Sequence, residues 1–144
     1  MIRKATEKDL PKVCNLVCKG ISEMDYNPNS VEPELVVQAV LDAFKQAPCY
    51  VVEKNGEIIG CAPLAFDCSF WSSKRLLTSL VVYVLPQHRN FGIIKELYEC
   101  IKKFAKLQGV SYVDIFNGMD KFDVRARLSK AQKLTQVGIV IKYD

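Results

Sequence analysis

Histidine appears once in this chain, at His88, and none of the cysteines forms a Cys-x-x-Cys pair. Zinc sites combine close cysteine pairs with further Cys or His ligands. Cys14 and Cys18 stand four apart on a helical stretch with no second pair beside them, so no metal is expected. No apolar run is long enough for a transmembrane helix, and no membrane association is expected. The opening MIRKATEKDLPK lacks the apolar core of a secretory signal, which points to the cytoplasm and to reduced thiols. Internal repeats, linkers and low-complexity tracts are also missing, leaving a single domain over residues 1–144. A concentrated basic face is lacking as well. Net charge is only +4, and Lys121, Arg125, Arg127, Lys130 and Lys133 read as a solvated helix face rather than a nucleic-acid footprint.

What is present is an ordinary globular balance, 49% hydrophobic and 25% charged, which excludes a disordered tail. Ile2 to Ala5 reads as a first strand. Thr6 or Asp9 caps a helix with Pro11 in its first turn. Leu10, Val13, Cys14 and Val17 stripe that helix, and Gly20 marks its approximate end. Asp25 to Ser30 reads as a loop. A second helix starts at Glu32 or Pro33 and runs to about Lys45. Val36, Val40, Ala43 and Phe44 form its apolar side, widened by Val37 and Leu41. Cys49 to Lys54 and Glu57 to about Phe66 are strands joined at Asn55-Gly56, a strong two-residue hairpin signal. In the following connection, Phe70 and Trp71 either line a groove or plug the core, and the core reading is favoured. Arg75 to Leu85 reads as one central strand, and Val110 to Phe116 as a fifth. Asp120 to about Lys133 has helical composition, and Val137 to Tyr143 reads as a last strand.

The stretch Leu80 to Gly109 carries the densest signal. Five β-prone residues, Leu80 to Val84, lead to Pro86 and the polar segment Gln87-His88-Arg89-Asn90. From Gly92 the apolar period becomes helical. Ile93, Ile94, Leu97, Tyr98, Ile101, Phe104 and Ala105 share one face. Gly109 suits the left-handed position past a helix end. The first N–H groups of a helix lack internal acceptors and carry partial positive charge. A strand, a basic turn and a helix in this order therefore offer bare amides to an anion. A plain helix start with a surface arginine fits the turn alone equally well.

VVYVLPQHRNFGIIKELYECIKKFAKLQG resembles the acetyl-CoA-binding core of the GNAT superfamily of N-acetyltransferases. In that family a Val-x-Pro-like step ends a strand, and an Arg/Gln-x-x-Gly-x-Gly/Ala turn begins a long amphipathic helix. Val84-Leu85-Pro86, Arg89 and Gly92 match. Ile94 replaces the last small residue, a weakness in the match because a branched side chain there can narrow the diphosphate seat, although only its backbone N–H is needed. The hairpin YVVEKNGEIIGCAPL is similar to the family's second and third strands. The resemblance covers roughly residues 1–118, and Asp123, Ala126 and Gly138 echo the family's tail only loosely.

The resemblance implies an α/β (α+β) fold with a mixed central sheet flanked by helices and splayed parallel strands at its centre. It implies acetyl-CoA as co-substrate, which the mild positive charge suits. By the match, backbone groups of Val82, Tyr83 and Val84 would pair with the pantetheine arm. The diphosphate would rest on N–H groups between Arg89 and Lys95, that is Arg89, Asn90, Phe91, Gly92, Ile93, Ile94 and Lys95, with Arg89 and Lys95 adding charge. The implied activity is acetyl transfer to an amine of a small molecule or protein, the acceptor being unidentified. The family's tyrosine acid has no counterpart, since Ser129 or Lys130 falls in its place. Tyr83, Tyr112, Ser129, His88 and Cys68 remain candidates, each with a structural reading beside it. An inactive fold used as a binding or regulatory module is the alternative. A homodimer is compatible with the sequence, and DNA or RNA is not an expected partner.

Overall fold

The computed structural model describes residues 1–23, 30–68, 70–110 and 113–115. The element order is β1 (Ile2–Lys4), α1 (Leu10–Glu23), α2 (Pro33–Gln46), β2 (Cys49–Lys54), β3 (Glu57–Cys68), β4 (Arg75–Ser79), β5 (Tyr83–Val84), α3 (Phe91–Leu107) and β6 (Val113–Asp114). Short 3-10 turns, Glu7–Asp9 and Pro86–His88, lead toward α1 and α3. The sheet runs β1-β2-β3-β4-β6, with β5 pairing on β3. Its pairings are antiparallel apart from β4 with β6, where Leu77 faces Val113 and Thr78 faces Asp114 in parallel. The mixed sheet of the expectation is therefore present. The expected tail elements, and most of the loop expected from Asp25 to Ser30, lie outside the described residues.

β3 is the spine of the sheet. Ile58 through Leu64 are all buried, so both faces of the strand are covered. α1 and α2 pack on each other and on β3, and α3 packs against β2. Val13, Leu16, Val40, Ile59, Leu64, Leu77, Ile94, Leu97 and Ile101 are the large, fully buried side chains joining these layers. The Asn55-Gly56 hairpin forms as expected, with φ of 53° and 76° at its two residues, the pairing that a two-residue turn requires.

Four expectations are corrected. Gly20 does not end α1, which continues to Glu23; its place is against the Tyr83 ring, whose Cδ2 would stand 3.1 Å from a Cβ there. The strand from Arg75 to Leu85 is divided. Leu64 pairs with Ser79 and Cys61 with Tyr83, so β3 takes three steps where its partner takes four. One residue is left over, and such a bulge bends the strand and re-aims the residues beyond it. On α2, Val37 and Leu41 face solvent, whereas Val36, Val40 and Ala43 are buried and Phe44 packs half-buried against the core. Phe70 and Trp71 do not plug the core. They are 97% and 76% exposed and stack edge to face on each other at 4.9 Å.

At the sheet edge, Arg3 holds β1, β2 and the start of α1 together. Its guanidinium donates to both oxygens of Asp9, at 2.8 and 3.1 Å, and to both oxygens of Glu53, at 3.4 and 3.3 Å. Asp9 in turn accepts from the Thr6 N–H at 2.8 Å. The Arg3 hydrogen bond, then that of Thr6, holds the Asp9 carboxyl well below the usual carboxylate range. A depressed pKa means that the unfolded chain binds the proton first as pH falls. The stabilisation is thus complete above the unfolded value near about 4 and fades below it. Replacing Arg3 by Met is expected to flatten the acid limb of the stability curve. Thermal unfolding of both proteins between about pH 6 and pH 2 reads this; parallel curves would contradict it.

Candidate active site

The turn between β5 and α3 begins where the strand lets go of its neighbour. Leu85 N–H donates to the Ile59 carbonyl at 2.9 Å. Neighbouring residues on an antiparallel strand alternate in direction. Leu85 and Tyr83 therefore turn their backbone groups toward β3, and Val84 between them turns its groups to the outer edge. The Tyr83 carbonyl confirms its direction, lying 2.9 Å from the place a Cβ on Gly60 would take. Of the three residues expected to offer backbone to a ligand, Tyr83 is thus turned the other way, whereas Val84 faces the edge. All three are buried.

Pro86 then opens the 3-10 turn with Leu85 at its cap, and Arg89 returns to extended backbone. Asn90 caps α3. Its side-chain carbonyl accepts from the Ile93 N–H at 2.9 Å, and its main-chain carbonyl accepts from the Ile94 N–H at 3.3 Å. Two of the amides expected to receive a diphosphate are therefore held by Asn90 in this structure. An oxygen in the place of the Asn90 Oδ1 does for Ile93 what a phosphate oxygen would do. Gly92 is exposed, and a Cβ on it would lie 3.2 Å from that same Oδ1. Lys95 is exposed one turn on, and Phe91 is half-buried.

Ile94 departs from the expectation drawn for it. Its side chain is 0% exposed and belongs to the core cluster with Leu97 and Ile101. A side chain at this position points under the helix, so its branching does not narrow the seat above the turn.

Arg89 also departs from expectation. Its side chain is only 7% exposed. Nε donates to the Val84 carbonyl at 2.7 Å, and the two terminal nitrogens donate to the two oxygens of Glu23 at 2.6 and 2.8 Å. The guanidinium carbon sits 5.1 Å from the centre of the Tyr83 ring. A charge so fully matched by a carboxylate adds little field to the turn, so the expected Arg89 contribution to an anion is corrected. Sequence reasoning missed Glu23 altogether. It is the last residue of α1 and 66 positions from Arg89, a separation that no local pattern reports.

The candidates for proton transfer separate in the same way. Burial, then the neighbouring Glu23, pushes the Tyr83 phenol up to about 12, which suits a structural hydroxyl. Burial lifts the Cys49 thiol to about 12 and the Cys61 thiol well above its usual value. Cys68 is exposed on the far hairpin, its Sγ 3.8 Å from the Ser73 carbonyl. His88 is half-buried in the 3-10 turn. Tyr112 and Ser129 lie outside the described residues. Among the described residues no group of three or more His, Cys, Asp or Glu gathers as metal ligands do, and no helix is long and apolar enough to cross a membrane.

Residues 19–127 match the acetyltransferase (GNAT) family, and the chain belongs to it. The fold agrees. A predicted acetyltransferase from Clostridium acetobutylicum, solved with acetyl-CoA, superposes with a TM-score of 0.75 at 16% identity, over 100% of this chain and 95% of its own. A ribosomal-protein-alanine N-acetyltransferase from Brucella melitensis gives 0.73 at 22% identity, over 96% of this chain and 86% of its own. An aminoglycoside antibiotic 6'-N-acetyltransferase from Acinetobacter haemolyticus, solved without ligand, gives 0.69 at 14% identity, over 100% and 97%.

The place of Ile94 generates a test. Ile94→Ala restores the small residue of the family pattern but empties a packed site. A loss of about 2–4 kcal/mol of stability is expected in urea unfolding, as for other buried Ile-to-Ala changes. Acetyl-CoA affinity, measured well below the unfolding transition, should stay within about twofold. A marked gain in affinity would show that the branched side chain obstructs the turn after all.

Proposed function

We propose that this protein is an acetyl-CoA-dependent N-acetyltransferase acting on an amine of a small molecule or a protein. The observation that carries the reading is the exposed Gly92 at the second position of α3, in a chain whose family match spans that turn. The co-substrate, when bound, supplies an activated acetyl thioester. The chain supplies its seat.

The residues fit that group. The first turn of α3 offers main-chain N–H groups to a diphosphate, and displacing the Asn90 side chain hands over the Ile93 amide as well. The exposed Lys95 ammonium adds charge one turn on. The outer edge of β5 takes the pantetheine arm as a further strand would, through Val82 and the N–H of Val84, whose carbonyl Arg89 already holds. Donors fixed by the fold before the ligand arrives need no reorganisation when charge develops on the thioester oxygen. The acceptor amine must be neutral when it attacks, and the departing thiolate must gain a proton. No described side chain is assigned to either proton.

The inactive-module reading drew on Ile94 and on the missing tyrosine. Burial of Ile94 in the core removes the first of these supports.

Titration calorimetry with acetyl-CoA tests the reading. Micromolar binding is expected, and Gly92→Asp should abolish it. That change sets a carboxylate against the Asn90 oxygen and against the incoming diphosphate. A thiol-release assay across a panel of amines then reports turnover. Absence of binding at millimolar acetyl-CoA would refute the proposal.

A further inference from the structure

Arg89 is spent on contacts within the protein. A guanidinium carries five N–H donors in a fixed planar fork. Here three of its nitrogens reach three oxygens on two other elements, the Val84 carbonyl and both oxygens of Glu23, at 2.6 to 2.8 Å. Its backbone immediately precedes Asn90, the cap of α3. One side chain therefore ties the last residue of α1, the outer edge of β5 and the first turn of α3. Tyr83 fills the space between them. Its ring lies beneath the guanidinium, and its Cδ2 stands 3.1 Å from the place a Cβ on Gly20 would occupy.

We propose that Arg89 and Glu23 are positioning residues, which set the spacing between the β5 edge and the first turn of α3 so that one ligand engages both. The inference rests on the acetyl-CoA reading above. That ligand is a single chain with its pantetheine arm at one end and its diphosphate further along. Its two contacts reinforce each other only when their separation matches the distance along the molecule. Arg89 fixes that distance directly, because its Nε holds the strand and its main chain holds the turn. Glu23 fixes the rotamer of Arg89 through a paired, planar contact that a lysine could not make.

The test separates a ligand spanning both contacts from one that touches the turn alone. Acetyl-CoA is titrated directly. ADP, which has a diphosphate and no pantetheine arm, is measured by competition. Both are applied to the wild type, Glu23→Gln and Arg89→Lys, with folding checked by near-ultraviolet circular dichroism. Each variant is expected to weaken acetyl-CoA by about tenfold or more and to leave ADP within about twofold. If Glu23→Gln instead tightens both ligands while Arg89→Lys keeps them, Arg89 acts as a cation on the diphosphate and the proposal is wrong. Equal losses for both ligands would confine the clamp to the turn and overturn the spacing role. Should Glu23→Gln not fold, Glu23→Asp, which draws the carboxylate back by one methylene, replaces it with the same expectations. A wild type that binds no acetyl-CoA defeats the function itself, an outcome distinct from any pattern among the variants.

Discussion

A guanidinium taken out of water must find its charge and its donors matched inside the protein, or the fold that buries it fails. Arg89 meets that demand with Glu23 and with the Val84 carbonyl, and the solution binds three parts of the chain that are far apart in sequence. α1 must bring Glu23 to the sheet at its last turn, so the helix cannot stop at Gly20. β5 must turn the Val84 carbonyl outward, so the strand needs the extra residue that separates it from β4. α3 must start immediately after Arg89, so the cap falls on Asn90. The bulge, the long first helix and the tight turn are thus three consequences of satisfying one buried cation.

The same arrangement explains how the turn is kept ready for an anion without a fixed cation in it. Asn90 closes the helix by accepting from Ile93. On the proposed reading, this neutral amide oxygen orders the turn and yields to a charged acceptor. Below the turn, Ile94 and Leu97 anchor the helix in the core. The upper side of the turn is left to main chain and to Gly92. On the proposed reading, function is carried by backbone direction, and side chains act by fixing that direction.

This division decides what could be read from the sequence. Apolar patterning located α1, α2, α3 and the β2–β3 hairpin, because burial leaves a repeat or run that neighbouring residues share, but it merged β4 and β5 into one strand. Asn55-Gly56 announced its turn, and the run from Val84 to Gly92 announced strand, turn and helix. Long-range pairing leaves no such trace. Glu23 drew no reading at all, Gly20 looked like a stop signal and Arg89 like a cation for the turn, because the partner of each lies on another element. Ile94 was misjudged for a related reason. A pattern aligned by residue type says which position differs, whereas helix geometry decides whether that position faces the ligand or the core.

Family membership at such low identity is intelligible in these terms. The Clostridium acetobutylicum structure shares 16% of its residues with this chain and still superposes over the whole of it. A site of the proposed kind, made of first-turn amides and a strand edge, constrains φ and ψ more than it constrains side chains. What must persist is a residue without a side chain where the backbone approaches the ligand, and some means of holding strand and helix apart by a set distance. Gly92 meets the first condition. The second admits many solutions, and the one proposed for this chain is a buried arginine held from both sides, by a carboxylate at the end of α1 and by a carbonyl on β5. The parts of the fold least constrained by that geometry, such as the solvent face of α2 and the Phe70-Trp71 hairpin tip, are free to differ, because neither contributes a backbone group to the turn.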